Sequence, residues 1–164
     1  MVKIAVLGYG TVGSGIVEVI KTNQELVNKK AGDEIDVKYI LDLRDFPGDP
    51  YENLVVHDVE VILNDPEVQV IAEAMGGVEP AYTFTKRALS QGKSVCTSNK
   101  ELVAKHGPEL LQIARNCERV PAKGAESFYE ACQSFWFIQM LLQVESSGHS
   151  ISPGRFDQYM YPYY

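Results

Sequence analysis

The sequence predicts an α/β fold built on a parallel sheet, followed by an apolar helix and an irregular tail. Three observations carry that expectation. Over residues 1–118, short apolar runs alternate four times with amphipathic stretches, the pattern of parallel strands joined by right-handed crossovers. A glycine-rich hexapeptide, Gly8-Tyr9-Gly10-Thr11-Val12-Gly13, stands directly between the first run and the first stretch. Residues 119–164 abandon the alternation, so the chain reads as two parts with a boundary near 118.

Val2 to Leu7 (VKIAVL) is short, β-branched and bounded by glycine, which marks a buried strand. Thr11 to Lys21 sets Val12, Ile16, Val19 and Ile20 on one helical stripe. The polar run Asn28 to Asp33 interrupts that pattern before a second strand, Ile35 to Leu41. Arg44 to Asn53, with Pro47, Gly48 and Pro50, reads as a loop. Asp58 to Leu63 forms a short helix stopped by Asn64-Asp65-Pro66, and Val68 to Ala74 a third strand ended by Gly76-Gly77. Glu79 to Gln91 has an early proline, an acidic first turn and a following Gly92, the start and stop signals of a helix. Ser94 to Thr97 is the fourth strand. Asn99 to Asn116 is the last helix of this part, with a break expected near Gly107-Pro108.

The tail is different. Glu126 to Glu145 carries Phe128, Phe135, Trp136, Phe137 and further aliphatic residues around nearly its whole helical circumference, so it expects neighbours on most sides. Ser146 to Tyr164 is irregular and stops on MYPYY as though interrupted. An unsupported tail of this kind would drive homo-oligomerisation or aggregation.

Composition narrows the function. The 164 residues carry 15 Lys+Arg against 22 Asp+Glu and a net charge of −7, with no basic block to attract nucleic acid. No run approaches the roughly 18 apolar residues of a membrane span, and the N-terminus turns into a glycine loop too early for a signal peptide. Cys96, Cys117 and Cys132 are odd in number and lack CxxC spacing, which disfavours disulfides and zinc and fits a cytoplasmic protein. His57, His106 and His149 have no partner at metal-ligand spacing, so no metal is expected.

The chemistry lies in the glycine loop. Gly8 permits the tight turn, Gly10 lets the backbone approach a pyrophosphate, and Gly13 lets helix and strand pack closely. Thr11, Val12 and Gly13 open a helix whose free N–H groups and partial positive charge face that pyrophosphate. The sheet is therefore expected to be Rossmann-like and the ligand a nicotinamide dinucleotide, with a tight βα turn that binds nothing as the alternative. At the end of the second strand, Asp42 and Arg44 point to opposite cofactors. A carboxylate favours the ribose hydroxyl of NAD, and a guanidinium the 2′-phosphate of NADP. Asp42 also reads as a turn cap and Arg44 as a solvated loop charge; NADP through Arg44 is the preferred reading, with NAD the alternative.

Gly76 and Gly77 end the third strand, and Cys96-Thr97-Ser98-Asn99-Lys100 ends the fourth, so both loops should face the cofactor. Gly76 permits close approach. Thr97 and Ser98 supply short polar groups to the cofactor or, like Asn99, cap the next helix. Lys100 is the catalytic candidate, an ammonium able to hold a substrate carbonyl and share its proton; a first-turn surface lysine is the plain alternative.

With these residues in place, the stretches KIAVLGYGTVGSG, GGVEPAYTFTKRAL, GKSV and TSNKELVAKHGPELL resemble, in order and spacing, the N-terminal nucleotide-binding region of homoserine dehydrogenases. The resemblance implies an NAD(P)-dependent oxidoreductase interconverting aspartate 4-semialdehyde and homoserine in threonine and methionine biosynthesis. It implies cofactor contacts at Gly10, Thr11, Val12, Gly13 and Arg44, a nicotinamide-side segment around Ser98, and a role for Lys100 beside the nicotinamide. The family's substrate domain, with its second lysine and acidic substrate ligands, has no counterpart here, so the sheet is expected to be incomplete and the chain inactive alone.

From between Gln112 and Pro121 onward, VPAKGAESFYEACQSFWFIQ and ESSGHSISPGRFDQYMYPYY resemble an internal piece of glycyl radical enzymes related to pyruvate formate-lyase. That family's catalytic cysteine and radical-storing glycine loop are matched by no stretch. The expectation is a chimera: a dehydrogenase nucleotide domain joined to a fragment of an unrelated enzyme. A non-catalytic dinucleotide-binding or interaction module is the alternative, and a glycyl radical enzyme fragment the third.

Overall fold

A computed structural model of the chain describes residues 1–117. They belong to the first of two units, Met1–Gly124 and Ala125–Tyr164. The expected tail helix 126–145, the irregular run 146–164, Cys132 and His149 lie outside the described residues.

Five strands form one sheet: β1 (Val2–Leu7), β2 (Ile35–Leu41), β3 (Val55–Val56), β4 (Val68–Glu73) and β5 (Ser94–Thr97). Their order is β3-β2-β1-β4-β5 and every pairing is parallel. The order reverses at β1, with β2 on one side and β4 on the other. This is the topological switch point beside which α/β sheets hold their ligands.

Period-two alternation in β1 explains why helices cover both faces. Ala5 and Leu7 enter one cluster with Val59, Ile62 and Leu63 of α3 (Val59–Leu63) and Ala88 of α4 (Ala81–Ser90). Ile4 and Val6 enter the other with Val17 and Ile20 of α1 (Thr11–Thr22). A strand buried on both faces must be apolar throughout, and VKIAVL is so after its lysine.

Two helices differ from expectation. The polar run after α1 carries a helix, α2 (Gln24–Ala31), closed by Gly32 at φ +72°. It buries no residue, so helix propensity and a left-handed stop define it rather than an amphipathic stripe. The last helix, α5 (Lys100–Asn116), runs unbroken through Pro108. An interior proline costs ~3 kcal/mol. Here Leu102 and Leu110 are anchored on either side of it with Ala81 of α4, and that packing holds the axis together.

Among the described residues, no helix is long and apolar enough to cross a membrane.

Candidate functional site

The strands run parallel, so the segments following β1, β2, β4 and β5 emerge on one edge of the sheet. All the residues expected at the site lie there: Gly8, Gly10, Thr11, Val12 and Gly13 after β1, Arg44 after β2, Gly76 after β4, and Thr97, Ser98 and Lys100 at the end of β5.

The three glycines do different work. Gly8 sits at φ +93°, and a Cβ there would stand 3.0 Å from the Ala74 carbonyl oxygen, so the turn is pressed against the end of β4. A Cβ on Gly13 would lie 1.8 Å from the Gly8 carbonyl oxygen, which no side chain can accommodate. Gly10 is the opposite case. Nothing lies within 4 Å of its Cβ position, and its backbone is extended at φ −85° and ψ −162°. It is the N-cap of α1 and no side chain caps that helix. A dinucleotide phosphate fits this arrangement: an open face over Gly10 beside the uncapped first turn of a twelve-residue helix.

Asp42 and Arg44, rivals in the sequence, are partners in the structure. Arg44 Nε and Nη2 donate to Asp42 Oδ1 and Oδ2 at 2.9 and 3.0 Å. Asp42 Oδ2 also accepts the Tyr9 N–H at 2.9 Å, which ties the glycine turn to the end of β2. The Arg44 guanidinium therefore holds the Asp42 carboxyl well below the usual carboxylate range. The arginine itself is 63% exposed, with its guanidinium over the Phe46 ring. The Tyr9 ring is buried and its hydroxyl donates to Asp49 at 3.1 Å. Burial, then that bond, pushes the hydroxyl up to about 12. His57 is exposed and donates from Nδ1 to the Asp42 carbonyl at 2.7 Å, a loop role rather than a catalytic one.

On the other flank, Asn99 rather than Thr97 or Ser98 caps α5. Its Oδ1 accepts the Leu102 N–H at 3.0 Å, and its amide donates to the Gly77 and Met75 carbonyls. The Thr97 hydroxyl is turned to Glu73, and the Ser98 N–H donates to the Glu73 carbonyl at 3.1 Å. Lys100 follows the cap, exposed and in no ion pair among the described residues.

Glu73 is the residue that sequence reasoning missed. It is 1% exposed, and its Oε1 accepts the Met75 N–H at 2.7 Å. Burial pushes its carboxyl up, against the hydrogen bonds from Thr97, Met75 and Asn99. The available signal was a lone charge in the otherwise apolar ending IAEAM.

Strand order, glycine turn and loop placement define a Rossmann-type dinucleotide-binding domain. Comparison with known proteins divides the chain. The homoserine dehydrogenase of Helicobacter pylori is 35% identical over 116 residues, covering 70% of this chain and 27% of that relative. The crystal structure of Staphylococcus aureus homoserine dehydrogenase at pH 7.0 superposes with a TM-score of 0.64 at 36% identity, covering 71% of this chain and 30% of that one. The isethionate sulfite-lyase of Desulfovibrio desulfuricans is 54% identical over 115 residues, 69% of this chain and 14% of that relative. A family model described as pyruvate formate lyase-like matches residues 73–164. The chain thus belongs to the pyruvate formate lyase-like family through residues 73–164, and its N-terminal part is similar to homoserine dehydrogenases, of whose length it spans less than a third. The family match begins at the last residue of β4, yet β5 and α5 fold with the sheet, Thr97 pairing with Glu73 and Glu73 with Leu7.

Proposed function

We infer that this region binds NADPH, and that in a complete enzyme it would serve the interconversion of aspartate 4-semialdehyde and homoserine. The observation that carries the reading is the contrast within the glycine turn. Gly8 and Gly13 are closed in by backbone while Gly10 faces open space at a bare helix terminus. Gly10, Thr11, Val12 and Gly13 hold the pyrophosphate through main-chain N–H groups. Arg44, pre-oriented by Asp42 and largely exposed, takes the 2′-phosphate, which favours NADP over NAD. Gly76, Thr97 and Ser98 line the nicotinamide side. The bound cofactor supplies hydride chemistry, and Lys100 holds a proton at Nζ beside the substrate carbonyl. Hydride transfer also needs a substrate held at near-attack distance. The 116 matched residues span 27% of the Helicobacter pylori relative, so this chain alone is expected to turn over no homoserine.

Fluorescence titration with NADPH and NADH tests the reading. Gly10→Val should weaken NADPH binding by roughly a hundredfold while costing the fold only about 1 kcal/mol as a poorer N-cap, because valine tolerates this extended backbone. Arg44→Ala should weaken NADPH by about tenfold and leave NADH nearly unchanged. A wild-type chain with no affinity for either coenzyme overturns the reading; homoserine turnover at the rate of a complete enzyme overturns the expected inactivity.

A further inference from the structure

The wall that carries Gly76, Gly77, Ser98 and Lys100 rests on one carboxylate. Glu73 ends β4, paired with Leu7 on one side and Thr97 on the other. Its strand neighbours Val70, Ile71 and Ala72 are apolar, and no cation pairs with it among the described residues. An uncompensated buried carboxylate is costly, and an apolar residue of similar size would serve stability at least as well. What the carboxylate supplies is connection. One oxygen takes the Met75 N–H at 2.7 Å and the other the Thr97 hydroxyl. Thr97 Oγ1 accepts the Asn99 N–H at 2.9 Å. Asn99 then bridges the Gly77 carbonyl and the first turn of α5. The turn after β4 and the segment leading to Lys100 are thereby joined through a single contiguous network.

The geometry points to Glu73 as a positioning residue for the nicotinamide half of the site: it fixes the Gly76-Gly77 turn against the end of α5 that bears Lys100. This inference rests on the dinucleotide reading above. It separates from a general structural role because the adenosine half of the ligand meets other residues, Gly10 to Gly13 and Arg44. Adenosine 2′,5′-bisphosphate carries that half and lacks the nicotinamide.

The test is titration of the full chain and its variants with NADPH and with adenosine 2′,5′-bisphosphate, alongside unfolding midpoints. Glu73→Gln keeps an acceptor for Met75 but presents an amide donor to Thr97. It should raise the NADPH Kd by about tenfold and leave the bisphosphate Kd within about twofold. Should Glu73→Gln fail to fold, Asn99→Asp keeps the α5 cap through its Oδ1 but loses the amide donated to the Gly77 carbonyl, which breaks the same network away from the ligand-lining residues and should show the same selectivity. Equal losses for both ligands, or none for NADPH, overturn the assignment. A wild-type chain that binds the bisphosphate but not NADPH also overturns it while sparing the adenosine half of the underlying reading. Binding of neither ligand removes both.

Discussion

Asp42 and Glu73 stand at the ends of the two strands that flank β1, and each holds a loop at the mouth of the site. Asp42 does so with its charge compensated, a guanidinium forked onto both oxygens and the glycine turn held by one of them. Glu73 does so with its charge uncompensated, buried among apolar neighbours and satisfied by neutral donors. The first arrangement leaves a positive group exposed where an anionic ligand would arrive. The second ties the turn after β4 to the segment that precedes the exposed Lys100, through neutral donors. Position in the sheet is shared, and the difference lies between a loop fixed by an ion pair and loops fixed by neutral donors.

The largest perturbation should strike both flanks together. Gly13→Ala drives a methyl into the Gly8 carbonyl, the pivot between them. A loss of about 3 kcal/mol or more is expected in urea unfolding, with binding of NADPH and adenosine 2′,5′-bisphosphate failing in parallel. Survival of one ligand alone would show that the flanks do not share this pivot. Asp42→Asn should cost less, about 1–2 kcal/mol, because the arginine is largely solvated and the asparagine oxygen still accepts the Tyr9 N–H. Its cost should shrink with added salt, whereas that of Glu73→Gln should not. Equal salt dependence would break the contrast.

The smallest effect is one of sign. Asp42 titrates lower in the folded chain than its ordinary 3.8, so its stabilisation is complete above that value and is lost as pH falls toward the folded value. Glu73 titrates above its ordinary 4.5, so it opposes folding increasingly as pH rises past that point toward its folded value. Urea midpoints measured across pH should therefore flatten on the acid side in Asp42→Asn and on the rising side in Glu73→Gln. The acid flattening is partial, since Asp36 and Asp65 are also held low by lysines. A Glu73→Gln chain that declines above 4.5 as the wild type does would remove the carboxylate from that role.

Where the sequence was legible, a simple physical rule made it so. The strands Val2–Leu7, Ile35–Leu41 and Ser94–Thr97 keep the bounds read from the sequence, and Val2–Leu7 is the clearest because its last four residues are buried and leave no room for a polar side chain. The glycine turn was legible because its three positions meet three different constraints. Val55–Val56 was not, since two residues carry no period and are a strand only through Ile40 and Leu41 beside them. In α2 there was no buried stripe to read, and in α5 long-range packing overrode a proline. Within the site, spacing set Asp42 and Arg44 against each other, but only three-dimensional placement shows that one orients the other. Glu73 escaped for a related reason, as its partners Thr97 and Asn99 lie across a strand boundary more than twenty residues away.

The central position of β1 bears on how the chain is made. Its residues leave the ribosome before those of the other four strands, but one edge gains a neighbour only once residue 41 has been synthesised, and the other only after residue 73. During that interval a six-residue strand, apolar but for Lys3, has bare amides and carbonyls, the condition under which nascent chains stick to one another. Chaperone demand during translation should therefore peak before β4 emerges, and any message truncated between the codons for β2 and β4 would yield a product prone to aggregate.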